Sequence, residues 1–138
     1  MIKKSEYNFT KFGNFNARTS EAVWTITSNN TIGLSASWCD ENGVSKFSYA
    51  VLFYDSKANS IGIKLTSNKT ETSKFSLSRR EMSSGVNIIA HSFFNKNNID
   101  SNKYARKKYV PKKLSLRHDV GIDELGSLYV IDLDNPKE

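Results

Sequence analysis

Residues 31–65 read TIGLSASWCDENGVSKFSYAVLFYDSKANSIGIKL, and the periodicity of this stretch sets the expected fold. The run from Tyr49 to Tyr54 is apolar at every position, as in a strand covered on both faces. Ile61, Ile63 and Leu65 alternate with Gly62 and Lys64, as in a strand with one buried face. Asp55 to Ser60 between them is made of turn formers, so the pair predicts a β-hairpin. Upstream, Ile32 and Leu34 share a face. Ser35 then precedes small residues that suit one or two helical turns, stopping near Asn42-Gly43, where Asn or Gly commonly closes a helix.

Outward from this centre, Val23, Thr25 and Thr27 alternate with Trp24 and Ile26 before a turn at Ser28-Asn29-Asn30, which makes a strand pair with 32–34. Residues 1–20 are polar with isolated aromatics and read as an N-terminal arm. Beyond 66, Phe75 to Ser78 reads as one short strand. Val86 to Ile89 is an apolar strand leading to a short helix with Ser92 near its start and Phe93 and Phe94 inside it. Lys112–Arg117 and Ser127–Leu133 form a second hairpin. The order strand, short helix, hairpin thus occurs twice, in about residues 30–66 and 86–133. The expected fold is one mainly β domain over residues 21–135 with a few short helices, a pseudo-symmetric β-barrel built from two strand-helix-hairpin halves.

The chain has 138 residues and a net charge of +6, with 38% hydrophobic residues but eight Phe, six Tyr and two Trp to supply large buried surfaces. Trp24 and Trp38, among Val23, Ile26, Ile32 and Leu34, read as core. Charge is unevenly spread: thirteen Lys/Arg against three acids lie between Lys64 and Arg117, whereas the tail from Asp119 carries six acids and one Lys. Such asymmetry marks one side for a polyanion. A single cysteine, Cys39, gives no internal disulfide and favours a reducing, cytoplasmic setting. No apolar run is long enough for a signal peptide or a membrane span.

The principal functional candidate is residues 103–118, KYARKKYVPKKLSLRH, with seven Lys/Arg and no carboxylate. Lys103, Arg106, Lys107, Lys108, Lys112, Lys113 and Arg117 would neutralise phosphates, while Tyr104 and Tyr109 would stack on bases. Pro111 rules out one continuous helix. The competing reading is a solvated loop whose lysines maintain solubility, at the cost of uncompensated self-repulsion. Arg79 and Arg80 form a smaller basic pair beside Glu81, a second phosphate site or an ordinary surface ion pair. Catalysis would have to rest on Cys39 with His91, since His118 and Asp119 are adjacent on a strand and point to opposite faces. Ligand spacing for a metal is absent, the glycines form no phosphate loop, and no cofactor is implied.

The stretch 31–65 resembles the AbrB/SpoVT/MraZ type of swapped-hairpin DNA-binding unit. Ile32 and Leu34 match the apolar strand, Ser35 stands where the family usually has Pro, and Val44, Phe47, Tyr49, Val51 and Phe53 match the apolar positions beyond. The helix lacks the family's usual Arg, Lys46-Phe47-Ser48 replaces its Gly-Asp turn, and Asp100–Lys113 is a basic insertion. The resemblance implies a cradle-loop or double-psi-like barrel that binds duplex DNA through basic loops, often as a homodimer. The expected function is therefore a non-enzymatic nucleic-acid-binding module, with duplex DNA favoured over single strands. The alternatives are a small inhibitor of mobile-element origin that docks on an acidic protein or nucleoprotein, and a Cys/His-dependent enzyme.

Overall fold

Ten strands and three short helices follow in a computed structural model of the chain that describes residues 21–79, 82–115 and 127–137. Strands β1 (Trp24–Thr27) and β2 (Thr31–Leu34) pair from Trp24↔Leu34 to Thr27↔Thr31. Their turn closes with Asn30 at φ 58°, a left-handed conformation that Asn tolerates better than most residues. Ser35 then caps α1 (Ala36–Glu41), its Oγ accepting from the Trp38 N–H at 3.2 Å. The same hydroxyl donates to the Glu21 carbonyl at 2.8 Å, so one side chain fixes both the helix start and the approach to β1. Gly43, at φ 62°, ends the turn and leads into a 3₁₀ segment, Val44–Lys46.

The expected central hairpin is β3 (Tyr49–Asp55) and β4 (Ser60–Thr66), in register from Tyr49↔Thr66 to Asp55↔Ser60. After it come β5 (Lys74–Ser76), β6 (Ser78–Arg79), β7 (Val86–Ile89), α2 (His91–Lys96), α3 (Ser101–Tyr104), β8 (Lys108–Tyr109), β9 (Lys112–Ser115) and β10 (Ser127–Asp132). All pairings are antiparallel and make two sheets, the first ordered β6-β7-β2-β1-β8 and the second β5-β3-β4-β10-β9. Among the described residues neither sheet closes on itself. Exchanging β1, β2, β3 and β4 for β6, β7, β9 and β10 reproduces the orders β6-β7-β2-β1 and β3-β4-β10-β9.

Two local expectations need correction. Phe75–Ser78 is not one strand: β5 pairs with β3 in the second sheet and β6 with β7 in the first. The switch falls at Leu77, whose side chain enters the core while its N–H donates to the Ser48 carbonyl at 3.0 Å. The basic insertion 100–113 is not wholly loop either. Asp100 caps α3 by accepting from Asn102 N at 3.0 Å, and Tyr109 enters β8.

One apolar cluster joins the two sheets. The first contributes Trp24, Ile26, Ile32, Leu34, Val86 and Ile88, and the second Ala50, Ile61, Ile63, Leu65 and Ile131. Trp38 of α1 stands between them, edge to face with Trp24 at 5.1 Å and with Tyr129 at 4.9 Å. Each such ring pair adds about 1 kcal/mol beyond its buried area. From α2, Phe93 meets Tyr54 edge to face at 6.5 Å. Both helices therefore contact the face of the second sheet that bears Tyr54 and Tyr129, opposite the one that bears Phe53 and Val130.

Candidate nucleic-acid interface

The basic segment supplies the last described strand of each sheet, and Lys137 bridges to β8 on its outer side. β8 is the last strand of the first sheet and β9 the last of the second, with Val110-Pro111 crossing between them. Lys112 pairs with Val130 and Lys113 with Tyr129, so the two lysines leave opposite faces of the second sheet. The cations of the segment are thus divided between surfaces.

Lys103, Arg106, Lys107, Lys112 and Lys113 are exposed. Lys103 Nζ lies 5.6 Å from the Tyr104 ring centre. Arg106 follows α3 at φ 69°, a left-handed backbone that costs a non-glycine residue about 1 kcal/mol, and with Thr25–Ser28 it lines a shallow cleft. Lys108 is also exposed but occupied: its Nζ meets Glu21 Oε1 at 2.5 Å, and Lys137 holds the other oxygen of the same carboxylate. Backbone pairing of Lys137 N–H with the Lys108 carbonyl at 2.7 Å fixes that arrangement.

Both tyrosines expected to stack on bases are buried, which corrects that assignment. Tyr104 is 7% and Tyr109 1% exposed. The Tyr104 hydroxyl accepts from Asn59 Nδ2 at 3.0 Å, and Asn59 in turn accepts from the Tyr54 hydroxyl at 2.7 Å. Asn59 Nδ2 also donates to Asp134 at 2.9 Å, so the tip of the central hairpin is tied to α3 and to the chain after β10. Tyr109 donates weakly to the Leu133 carbonyl at 3.4 Å. Burial, followed by the nearby Tyr104, Asp134 and Asp132, pushes its phenol up to about 12.

Arg79 is likewise committed to the fold. Its guanidinium donates to the Val44 carbonyl at 3.3 Å and to the Phe47 carbonyl, binding the 3₁₀ segment to β6. Arg80 and Arg117 lie outside the described residues, as does the N-terminal arm. Cys39 is 3% exposed, and its thiol donates to the Leu34 carbonyl at 3.7 Å. Burial and then Asp40 raise it to about 11, the reverse of what a nucleophilic thiolate needs. His91 faces Asn30, with Nδ1 3.4 Å from the amide nitrogen.

A second cationic surface arises from strands far apart in the chain. Directly opposed residues of an antiparallel sheet share a face, so the registers place Phe53, Gly62, Val130 and Lys112 in one row across the second sheet. Lys74, Val51, Lys64, Leu128 and Leu114 form the next row on that same face. The ring of Tyr49 belongs to this face too, with Lys74 Nζ 5.2 Å from its centre.

The chain matches no known protein family model, no curated protein and no solved structure.

Among the described residues no helix is long and apolar enough to cross a membrane, and no three His, Cys, Asp or Glu side chains are grouped to hold a metal ion.

Proposed function

We propose that this protein is a non-enzymatic nucleic-acid-binding module that holds phosphates with the exposed cations of residues 103–113. The observation that carries the reading is the exposure of Lys103, Arg106, Lys107, Lys112 and Lys113 in a stretch without a single carboxylate. Crowding these charges is unfavourable in isolation, and neutralising phosphates recovers that cost together with counterion release. The tyrosines and Arg79 are removed from the original set, so phosphate contact without base contact is what remains to this segment. The proposal includes the pseudo-symmetric barrel of AbrB/SpoVT/MraZ type, supported by the strand orders that survive exchange of the two halves, and with it a cytoplasmic homodimer acting on DNA.

A different reading has one specific observation in its favour. Lysines on edge strands discourage edge-to-edge pairing between molecules, and among the described residues β9, with Lys112 and Lys113, is an edge. Binding measurements separate the two. Gel shift on duplex and single-stranded nucleic acid at ~50 and ~200 mM salt should show affinity falling steeply with salt. Replacing Lys107 and Lys112 by Glu should weaken binding to every sequence alike. Salt-independent binding, or unchanged affinity in that variant with new aggregation, would assign the lysines to edge protection instead.

A further inference from the structure

We propose that the outward face of the second sheet is a platform for single-stranded nucleic acid, with Phe53 stacking on a base and Lys74 and Lys112 beside it holding phosphates. This rests on the nucleic-acid reading above and names both the strand type and the surface.

That face lies outside the apolar cluster that joins the sheets. Val51 is only 9% exposed, yet it stands outside the apolar cluster that joins the sheets; its neighbours across the strands are Lys64 and Lys74. The lysine stems run beside it, and Lys74 Nζ donates to the Glu71 carbonyl at 3.1 Å. Phe53 is half-buried and also outside the cluster. Opposite it, Gly62 has no side chain, and the space a Cβ would take is filled by Leu128 at 3.2–3.3 Å. Leu128 thus leans over the glycine toward the Phe53 row, and with Val130 and the 47% exposed Leu114 it makes a flat apolar floor.

The two rows contain three lysines and no carboxylate. Among the described residues of this face, acids occur in the next row, Asp55–Ser60–Asp132, where they are spent on turns. Asp55 accepts from the N–H groups of Lys57 and Ala58, and Asp132 accepts from Asp134 N and Asn135 Nδ2. At the other side of β3 the floor runs into a cleft of about 560 Å³. β5 pairs only with Tyr49–Val51, so the strand beyond is an open edge there, and Phe53, Lys74, Phe75, Phe93 and Lys96 line the cleft without an acid.

An apolar floor ringed by ammonium groups matches one occupant best. A second copy of the chain packed about a two-fold axis would set these lysines against themselves. A duplex offers phosphates but keeps its base faces stacked away. A single strand offers phosphates and aromatic faces together, which is how sequence-tolerant single-strand binders work.

Fluorescence anisotropy with labelled oligothymidylate of about a dozen nucleotides, and with a duplex of equal length, tests the proposal. Phe53→Ala should lose about tenfold in affinity for the single strand while leaving the duplex unchanged, the loss expected for one stacked base. Its melting temperature should stay close to that of the parent protein. Phe53→Trp should retain single-strand affinity. Equal single-strand affinity in Phe53→Ala overturns the platform. So does a parallel loss for both ligands, competition by poly-glutamate as effective as by oligothymidylate, or a dimer in sedimentation equilibrium that Phe53→Ala dissolves. If Lys107→Glu weakens both ligands while Phe53→Ala changes neither, the basic segment stands and the platform alone falls.

Discussion

The outward faces of the two sheets differ although their inward faces serve one core. On the first sheet Thr25, Gly33 and Asn87 stand in a row, with Thr27, Thr31 and the 56% exposed Ile89 beyond. These are mostly short polar side chains, as solvent-facing strand positions commonly carry. On the second sheet the corresponding surface holds Val51, Phe53, Leu128, Val130 and Leu114 among Lys64, Lys74 and Lys112. Both sheets turn their other face to the same core, so the need for a core does not by itself explain the contrast. Among the described residues no helix lies on this apolar face, which is the contrast the proposed platform would explain.

The sharpest way to break this contrast is to exchange inside for outside on one hairpin. Ile63→Ala on the inward face should cost about 4 kcal/mol, measured by urea unfolding, because a fully buried side chain leaves a cavity. Phe53→Ser, on the paired strand but outward, should change stability by less than about 1 kcal/mol. Equal losses would mean that Phe53 belongs to the core. Next in size is Arg79→Ala, which removes charge-assisted bonds to two carbonyls and should cost about 2 kcal/mol of stability without changing affinity for nucleic acid. An affinity loss with unchanged stability would return Arg79 to the binding surface.

Smaller still is the effect of one lysine. Lys112→Gln should flatten the dependence of log affinity on log salt by about one unit, whereas Thr31→Gln on the first sheet should leave it unchanged. The smallest expected change concerns Cys39. Its pKa is raised from 9.0 to about 11 on folding, so the unfolded chain loses the thiol proton first. Its contribution to stability is complete below pH 9 and is lost as pH rises toward 11. At pH 8 a thiol reagent should therefore react no faster than the protein unfolds; rapid reaction would revive Cys39 as a nucleophile.

Local patterns in the chain disclosed the fold's main pieces. Alternation marked β1, β2 and β4, continuous apolar runs marked β3 and β7, the second hairpin anticipated the pairing of β9 with β10, and Ser35 marked the start of α1. Trp24 and Trp38 fell in the core as their apolar neighbours implied. Indole Nε1 of Trp24 has no acceptor among the described residues. Other features were hidden because a short signal was masked by a stronger one. In residues 103–109 the density of lysines drew attention from Asp100, a sound helix cap, and from the Lys108-Tyr109 alternation that sends one side chain out and the other in. Leu77, the point where the chain changes sheet, has no local signature: a four-residue apolar alternation looks the same whichever sheet each half joins.

The outward platform could not be read at all from sequence. Lys64, Lys74 and Lys112 sit on three strands whose adjacency depends on the pairing of β4 with β10, a contact between distant parts of the chain. Tyr49–Tyr54, expected to be covered on both faces, meets the core on one face, while on the other Val51 is buried and Phe53 half-buried.

The most direct test is a ¹⁵N–¹H correlation spectrum titrated with oligothymidylate. Binding as proposed would shift amides at Val51–Phe53, Gly62–Lys64 and Leu128–Val130 while Thr25, Thr31 and Asn87 stay in place. Shifts confined to the first sheet, or to residues 103–113 alone, would contradict it.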